Sequence, residues 1–234
     1  MRKFCLCIVC VWFYGRLFAQ VDAVVPFTSS NLPIVVIKST LSIKDDPKVT
    51  ASMGIIDNFP ARNKLTDPYN VYDGLIGIVI RGSSSQMFPK KQYGLELRDA
   101  SGNGIAASLL SMPEEEDWIL FAPYNDKSLM RDALAYHMGR SLGQYAPRTK
   151  FCELVINDMY LGVYVLMEKI KRDKNRVDIN KLDPTEISGN DLSGGYILKI
   201  VKMTGGGDGC TSEHQPPHAK GQPVHFLYLN PGAD

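Results

Sequence analysis

The sequence has almost no net charge and, beyond its first ten residues, few cysteines. Its 234 residues include 26 Lys and Arg against 25 Asp and Glu, a formal net charge of +1. Without an excess of positive charge no overall field attracts nucleic acid, so a nucleic-acid partner is not expected. After residue 10 only Cys152 and Cys210 remain, too few for a disulfide-stapled scaffold. Cys152 lies in a strand-like run, which predicts a buried free thiol; a Cys152–Cys210 bridge is the alternative.

The sequence also lacks an apolar run long enough to cross a bilayer comfortably. The run Phe4–Tyr14 follows two basic residues and precedes small ones, an order typical of a secretory signal peptide. We predict a signal peptide over residues 1–19, cleaved after Ala19, with cleavage after Ala23 or an uncleaved membrane anchor as alternatives. The mature domain, residues 24–234, would then be secreted or at the cell surface, with no stable membrane span.

One stretch has helical periodicity, and most of the other ordered segments alternate like strands. Apolar residues recur at helical spacing from Asn125 or Asp126 to about Leu142. A hairpin is predicted around Asn157–Asp158–Met159. The strands are expected at Pro33–Ile37, Val49–Ile56, Leu75–Ile80, Gln92–Arg98, Trp118–Phe121, Phe151–Ile156, Tyr160–Met167, Gly195–Lys202 and Val224–Leu229. This pattern predicts an α+β domain that combines a mostly antiparallel sheet with one main helix.

A small-residue loop between two predicted strands is the first candidate site. It begins at Arg81-Gly82 and is followed by Phe88-Pro89-Lys90-Lys91. Backbone N–H groups and lysine charge in such a loop can surround a phosphate. A flexible hairpin loop with solvated lysines is the alternative, since loops of this composition are common. It is not a Walker loop, because no GxxxxGK[ST] string occurs.

Three further sets of charged residues stand at the ends of predicted elements. Arg131 lies one turn into the predicted helix, where a cation is unfavourable, so it is expected either to have an acidic or phosphate partner or to be solvated. Arg148 and Glu153 are expected to form a buried ion pair that orders the domain. Glu168 and Lys169 close a strand and, on residue types alone, form an ordinary surface pair.

Several strings together resemble one family, the CotH spore-coat kinases, an atypical group related to protein kinases. They are RGxSSxxFPKKxYxLEL from Arg81, APYxDKxLxRxxLAY from Ala122, YAPRTxFxE from Tyr145 and YLGVYVLMEKI from Tyr160. The likeness spans roughly Pro33 to Lys202. It implies a fold like a reduced protein kinase, of which this chain would hold the small lobe.

The resemblance also implies an activity and roles for particular residues. Relatives of this kind would use ATP and Mg²⁺ to transfer the γ-phosphate to Ser or Thr hydroxyls of a secreted or surface protein. Lys90 or Lys91 would contact the phosphates, and alternation with Tyr93 makes Lys91 the inward-facing choice. Arg81 would order the loop. Glu168 and Lys169 would mark the hinge that meets adenine.

The chain departs from the family pattern in ways that bear on activity. Val201 stands where an aspartate is usual, and Cys210 replaces a common aromatic residue. The family's metal-binding and catalytic aspartates belong to a WDFD-like motif, which does not occur before Asp234. We therefore expect a truncated kinase fragment with little turnover and without its metal ligands. The alternatives are a non-catalytic surface or coat assembly protein and a carbohydrate-binding β module.

Overall fold

The structure, a computed structural model, describes residues 26–183, 185–190, 192–201, 209–214, 221 and 223–231. The predicted signal peptide lies outside these residues. The described strands are β1 (Ser29–Ser30), β2 (Ile34–Lys38), β3 (Val49–Ile56), β4 (Asn63–Lys64), β5 (Tyr72–Arg81), β6 (Gln92–Arg98), β7 (Asp117–Phe121), β8 (Thr149–Ile156), β9 (Met159–Glu168), β10 (Ile197–Val201), β11 (Gly209–Thr211) and β12 (His225–Asn230). The described part of the chain has one α-helix, α1 (Arg131–Ser141), and one 3₁₀ turn, Ser84–Met87.

Seven strands close into a barrel in the order β2-β3-β5-β6-β7-β9-β8. All neighbours are antiparallel except β2 and β8, which run parallel and close the ring by pairing Ile34 with Glu153. The prediction of an α+β fold like a kinase small lobe was therefore wrong: the described residues are mostly β and form a closed barrel with one helix. Alternation within a strand reports its buried face but not its distant neighbour, so the sequence pattern could not show this closure.

The barrel interior is filled by one apolar cluster drawn from all seven strands. Strand β6 shows how the sequence directs this packing, because Tyr93, Leu95 and Leu97 alternate with half-exposed residues and are at most 8% exposed. This confirms the predicted face of β6. Trp118 on β7 is fully buried in the same cluster, so it is no exposed platform for a sugar.

Helix α1 is shorter than predicted and lies outside the barrel. It begins at Arg131, because Asp126 holds the preceding turn by accepting hydrogen bonds from Ser128 N–H at 3.0 Å and Arg131 N–H at 2.9 Å. Tyr136 packs on a small outer cluster formed by β7, β8 and β9. No helix among the described residues is long and apolar enough to span a membrane.

A small second sheet of order β10-β12-β11 follows the barrel. Cys210 lies on β11 and is exposed, whereas Cys152 lies on β8 inside the barrel. Both thiols are free, which confirms the predicted buried free thiol at Cys152 and excludes the Cys152–Cys210 bridge in this structure. Burial raises the pKa of the Cys152 thiol to about 12, so this thiol is poorly suited to act as a nucleophile near neutral pH.

Candidate functional site

A cavity of about 350 Å³ lies between the outer face of the barrel, helix α1 and the small second sheet. Strands β5, β6, β7 and β9 supply one wall, and β10 and β12 supply Lys199 and Leu229. Its apolar lining residues are Ile119, Phe121, Met167, Ile170 and Leu229, and its cations are Arg81, Lys169 and Lys199. An apolar surface with a few convergent charged groups is the usual composition of a small-molecule site.

Arg81 is the most distinctive charged group in this cavity. It ends strand β5, immediately before Gly82, whose φ of 109° turns the chain away from the strand direction. Burial lowers the pKa of the Arg81 guanidinium, while interaction with the Tyr136 hydroxyl opposes the shift. Across the described ranges, no carboxylate lies within ion-pairing distance of Arg81. A desolvated cation without an acidic partner favours the binding of an anion.

Glu168, which was predicted to mark the hinge, anchors the cavity wall. It is fully buried at the end of β9, where its carboxylate accepts hydrogen bonds from Arg148 N–H and from Arg148 Nη1, each at 2.8 Å. Both bonds end on the same side chain and connect the end of β9 to the residue before β8, so Glu168 stabilises the junction of β8 and β9. The neighbouring Lys169 lies 3.2 Å from Asp117, is half exposed and lines the cavity.

The expected Arg148–Glu153 ion pair is not formed. Arg148 pairs with Glu168, and its Nη1 also donates to the Asn175 carbonyl at 2.9 Å. Glu153 instead accepts hydrogen bonds from the Ser30 and Tyr160 hydroxyls, each at 2.8 Å. The two side chains are five residues apart, an odd spacing that places them on opposite faces of a strand.

The two lysines of the FPKK segment tether their own loop. Lys90 Nζ donates to the Val163 carbonyl at 2.5 Å and lies 4.5 Å from the centre of the Tyr164 ring. Burial lowers the pKa of Lys90, and the nearby Glu153 opposes that shift. Lys91 Nζ donates to the Gln86 carbonyl at 2.5 Å. Neither lysine lines the cavity, so on this pair of strands the cation facing the cavity is Arg81.

Other cavity residues were missed by the sequence reasoning. Asp132 and Tyr136 lie one turn apart on α1, and this i, i+4 spacing could have placed them on one face. No sequence signal pointed to Lys199. Arg131 was expected either to have an acidic or phosphate partner or to be solvated; its Nε lies 3.5 Å from Asp126 and its side chain is 79% exposed.

The described residues supply few protein ligands for a magnesium ion. No group of three His, Cys, Asp or Glu side chains that could hold a metal occurs within them. The carboxylates that line the cavity are Asp132 and Glu168, and Glu168 already accepts a hydrogen bond from the Arg148 guanidinium. Magnesium in phosphoryl-transfer sites is bound by one or two carboxylates together with substrate phosphates. Among the described carboxylates of the cavity, Asp132 is the one left for such an ion, and we assign no catalytic step through a metal to these residues.

The comparisons with known proteins place the chain in a family. A sequence model of the family described as CotH kinase protein matches residues 78–222. This range includes Arg81, helix α1 and the end of β9, and therefore most of the cavity wall. No curated protein matches the chain.

Proposed function

Because this chain belongs to the CotH kinase protein family, we propose that its cavity binds ATP or a closely related nucleoside triphosphate. The observation that carries the proposal is Arg81, a desolvated cation without a carboxylate partner in the described chain, at the edge of an apolar cavity. Lys169 and Lys199 add positive charge to the same cavity. Its volume of about 350 Å³ lies in the range of ordinary small-molecule sites.

The arrangement of side chains favours one orientation of the nucleotide in the cavity. The purine packs on apolar surface such as Phe121, Met167 and Leu229, where burial of an aromatic ring is favourable. The phosphates lie toward Arg81, whose planar guanidinium can donate two parallel hydrogen bonds to a phosphate. The 82–91 loop that follows Arg81 keeps its shape because Lys91 and Gln86 bond within it.

As a member of this family, the chain is proposed to take part in transfer of the ATP γ-phosphate to a Ser or Thr hydroxyl of a secreted or surface protein. Such transfer requires a positioned base and neutralised phosphate charge in addition to a nucleotide site. The described residues support the binding and orientation of the nucleotide. We propose that this chain is exported and acts outside the cytoplasm.

Arg81→Gln tests the nucleotide site directly. We expect Mg·ATP to raise the melting temperature of the wild-type chain. We expect the apparent Kd of Mg·ATP to be at least about tenfold higher for Arg81→Gln than for the wild type. Arg62→Gln is the matched control, because Arg62 is an exposed arginine that bonds Ser29 and does not line the cavity. Equal thermal shifts in both variants and the wild type would exclude the cavity as the nucleotide site.

A non-enzymatic assembly role is the second candidate, and one surface favours it. Along α1 and the two residues that flank it, exposed apolar side chains recur every four residues: Met130, Leu134, Met138 and Leu142, which are 52–77% exposed. Contiguous exposed apolar side chains often mark protein-interaction surfaces. If the chain assembles without binding nucleotide, sedimentation should show self-association that Leu134→Asp reduces, while Mg·ATP leaves the melting temperature unchanged.

A further inference from the structure

One edge of strand β8 is left open where the barrel closes. Strand β2 begins at Ile34, which pairs with Glu153, so the earlier residues of β8 extend beyond the start of β2. Their other edge is paired, since Thr149, Lys150 and Phe151 all have partners on β9. The residues of β8 before Glu153 therefore pair with β9 along one edge and with no described strand along the other.

Two backbone hydrogen bonds identify the residues that face the open edge. The N–H of Glu153 donates to the Pro33 carbonyl on the β2 side, at 2.8 Å. The Arg148 carbonyl accepts from the N–H of Glu168 on the β9 side, at 3.2 Å. Backbone groups of alternate residues in a strand point to opposite edges. Thr149 and Phe151 therefore present their N–H and C=O groups to the open edge, where no described segment bonds them.

The open edge borders a second cavity, of about 520 Å³, which shares no lining residue with the proposed nucleotide cavity. Phe59 stands at its rim with 83% of its surface exposed. Lys150 is also exposed and, in the part of the chain that the structure describes, has no ion-pair partner. Leu110 and Ser111 line it with φ of 49° and 63°, a rare conformation for side-chain-bearing residues. The cavity thus joins backbone hydrogen-bonding groups, an exposed aromatic ring and an uncompensated cation.

We propose that this edge binds an extended segment of a partner protein, which adds as a short strand opposite Thr149 and Phe151. Only an extended polypeptide offers donors and acceptors at the spacing of a strand, so the backbone groups select this class of ligand. Successive side chains of the segment face opposite sides, which lets an apolar residue contact Phe59 and an adjacent acidic residue pair with Lys150. This site does not depend on nucleotide binding.

Thr149→Pro and Phe59→Ala test the proposal by different means. Proline removes one N–H that faces the open edge and is tolerated at the first residue of a strand. Phe59 is exposed, so its truncation does not disturb the core. We expect short random linear peptides displayed on a carrier to enrich on the wild-type chain, with acidic and apolar residues adjacent. Each variant should bind the enriched peptides with an affinity at least about tenfold lower than that of the wild type, measured by fluorescence anisotropy.

Ile187→Ala is the control, because it also removes an exposed apolar side chain, 81% exposed, and Ile187 lines neither cavity. It should leave the affinity unchanged, and circular dichroism should show that all three variants are folded. The proposal would be overturned if no peptide enriched on the wild-type chain relative to the Thr149→Pro chain. It would also be overturned if neither variant changed the affinity of the enriched peptides. A dimer lost on Thr149→Pro would assign the edge to a second copy and also overturn it.

Discussion

Glu168→Ala is expected to lower the free energy of unfolding by about 3 kcal/mol. The carboxylate is fully buried and accepts two hydrogen bonds from Arg148, one from its backbone N–H and one from its guanidinium. Each hydrogen bond to a charged group contributes about 1.5–3 kcal/mol, and loss of one partner leaves the other unsatisfied. The Arg148 side chain is 42% exposed, so water compensates part of this loss and keeps the effect below the largest values for buried pairs.

Chemical denaturation followed by circular dichroism measures this effect, and two further variants define its origin. Glu168→Gln keeps an acceptor but not the charge, so its loss should be intermediate. Glu114→Ala removes an exposed carboxylate and should change the free energy of unfolding by less than about 0.5 kcal/mol. A Glu168→Ala chain as stable as the wild type would show that Arg148 does not depend on this carboxylate.

Local features of this fold were readable from the sequence. The alternation of Tyr93, Leu95 and Leu97 gave the buried face of β6, because side chains alternate in a strand. The hairpin between β8 and β9 was also predicted, and it turns through Asn157 and Asp158 with φ of 48° and 65°. Asparagine and aspartate tolerate this left-handed conformation, so short-range chemistry was sufficient.

Features set by distant pairing could not be predicted. The barrel closes through Ile34 and Glu153, which are far apart in the chain, and nothing in either segment specifies the other. The partner of Arg148 depends on the register of β8 against β9, where Thr149 lies opposite Met167. That register brings Glu168 to Arg148, a neighbour twenty residues away. The cavity residue Lys199 likewise depends on how the second sheet meets the barrel.

Long-range strand pairing also decides which of the predicted site residues line the cavity and which do not. Arg81, Glu168 and Lys169 meet in one cavity because strands β5 and β9 contribute to the same outer face. Lys90 and Lys91 precede β6 in the loop, where nearby carbonyls of Val163 and Gln86 hold their ammonium groups. A motif identifies residues that belong together in a family, but the loop geometry decides which of them reach the cavity.

The segment that follows β9 is held against the barrel by a charge cluster centred on Lys171. Lys171 Nζ lies 2.9 Å from Glu115, 3.2 Å from Glu116 and 3.1 Å from Asp117. Arg176 adds a 2.9 Å contact to Glu115 from a nearly buried side chain. Lys169, which lines the proposed nucleotide cavity, pairs with Asp117 at 3.2 Å. The cluster therefore fixes the position of one cavity wall.

The pKa shifts in this cluster define the pH range over which it stabilises the fold. Burial raises the pKa of Asp117, but Lys169 and Lys171 outweigh burial and leave it below its usual value. This contribution is present above the unfolded pKa of about 3.9 and is lost as the pH falls through the folded pKa. Burial lowers the pKa of Lys171, but Glu115 and Asp117 outweigh it and leave it raised. That contribution is present below about pH 10.4 and is lost as the pH rises through the folded pKa.

Lys171→Met is therefore expected to lower the free energy of unfolding by about 2 kcal/mol near pH 7, between the values for surface and buried ion pairs. The difference from the wild type should narrow as the pH falls through the folded pKa of Asp117, where protonation of its carboxylate removes part of the repulsion that the variant leaves uncompensated. Lys174→Met is the matched control, because Lys174 is exposed and should show little loss at either pH. Urea unfolding at both pH values measures the two differences. A Lys171→Met deficit that is the same in acid and at neutral pH would assign the effect to packing of the lysine stem rather than to its charge.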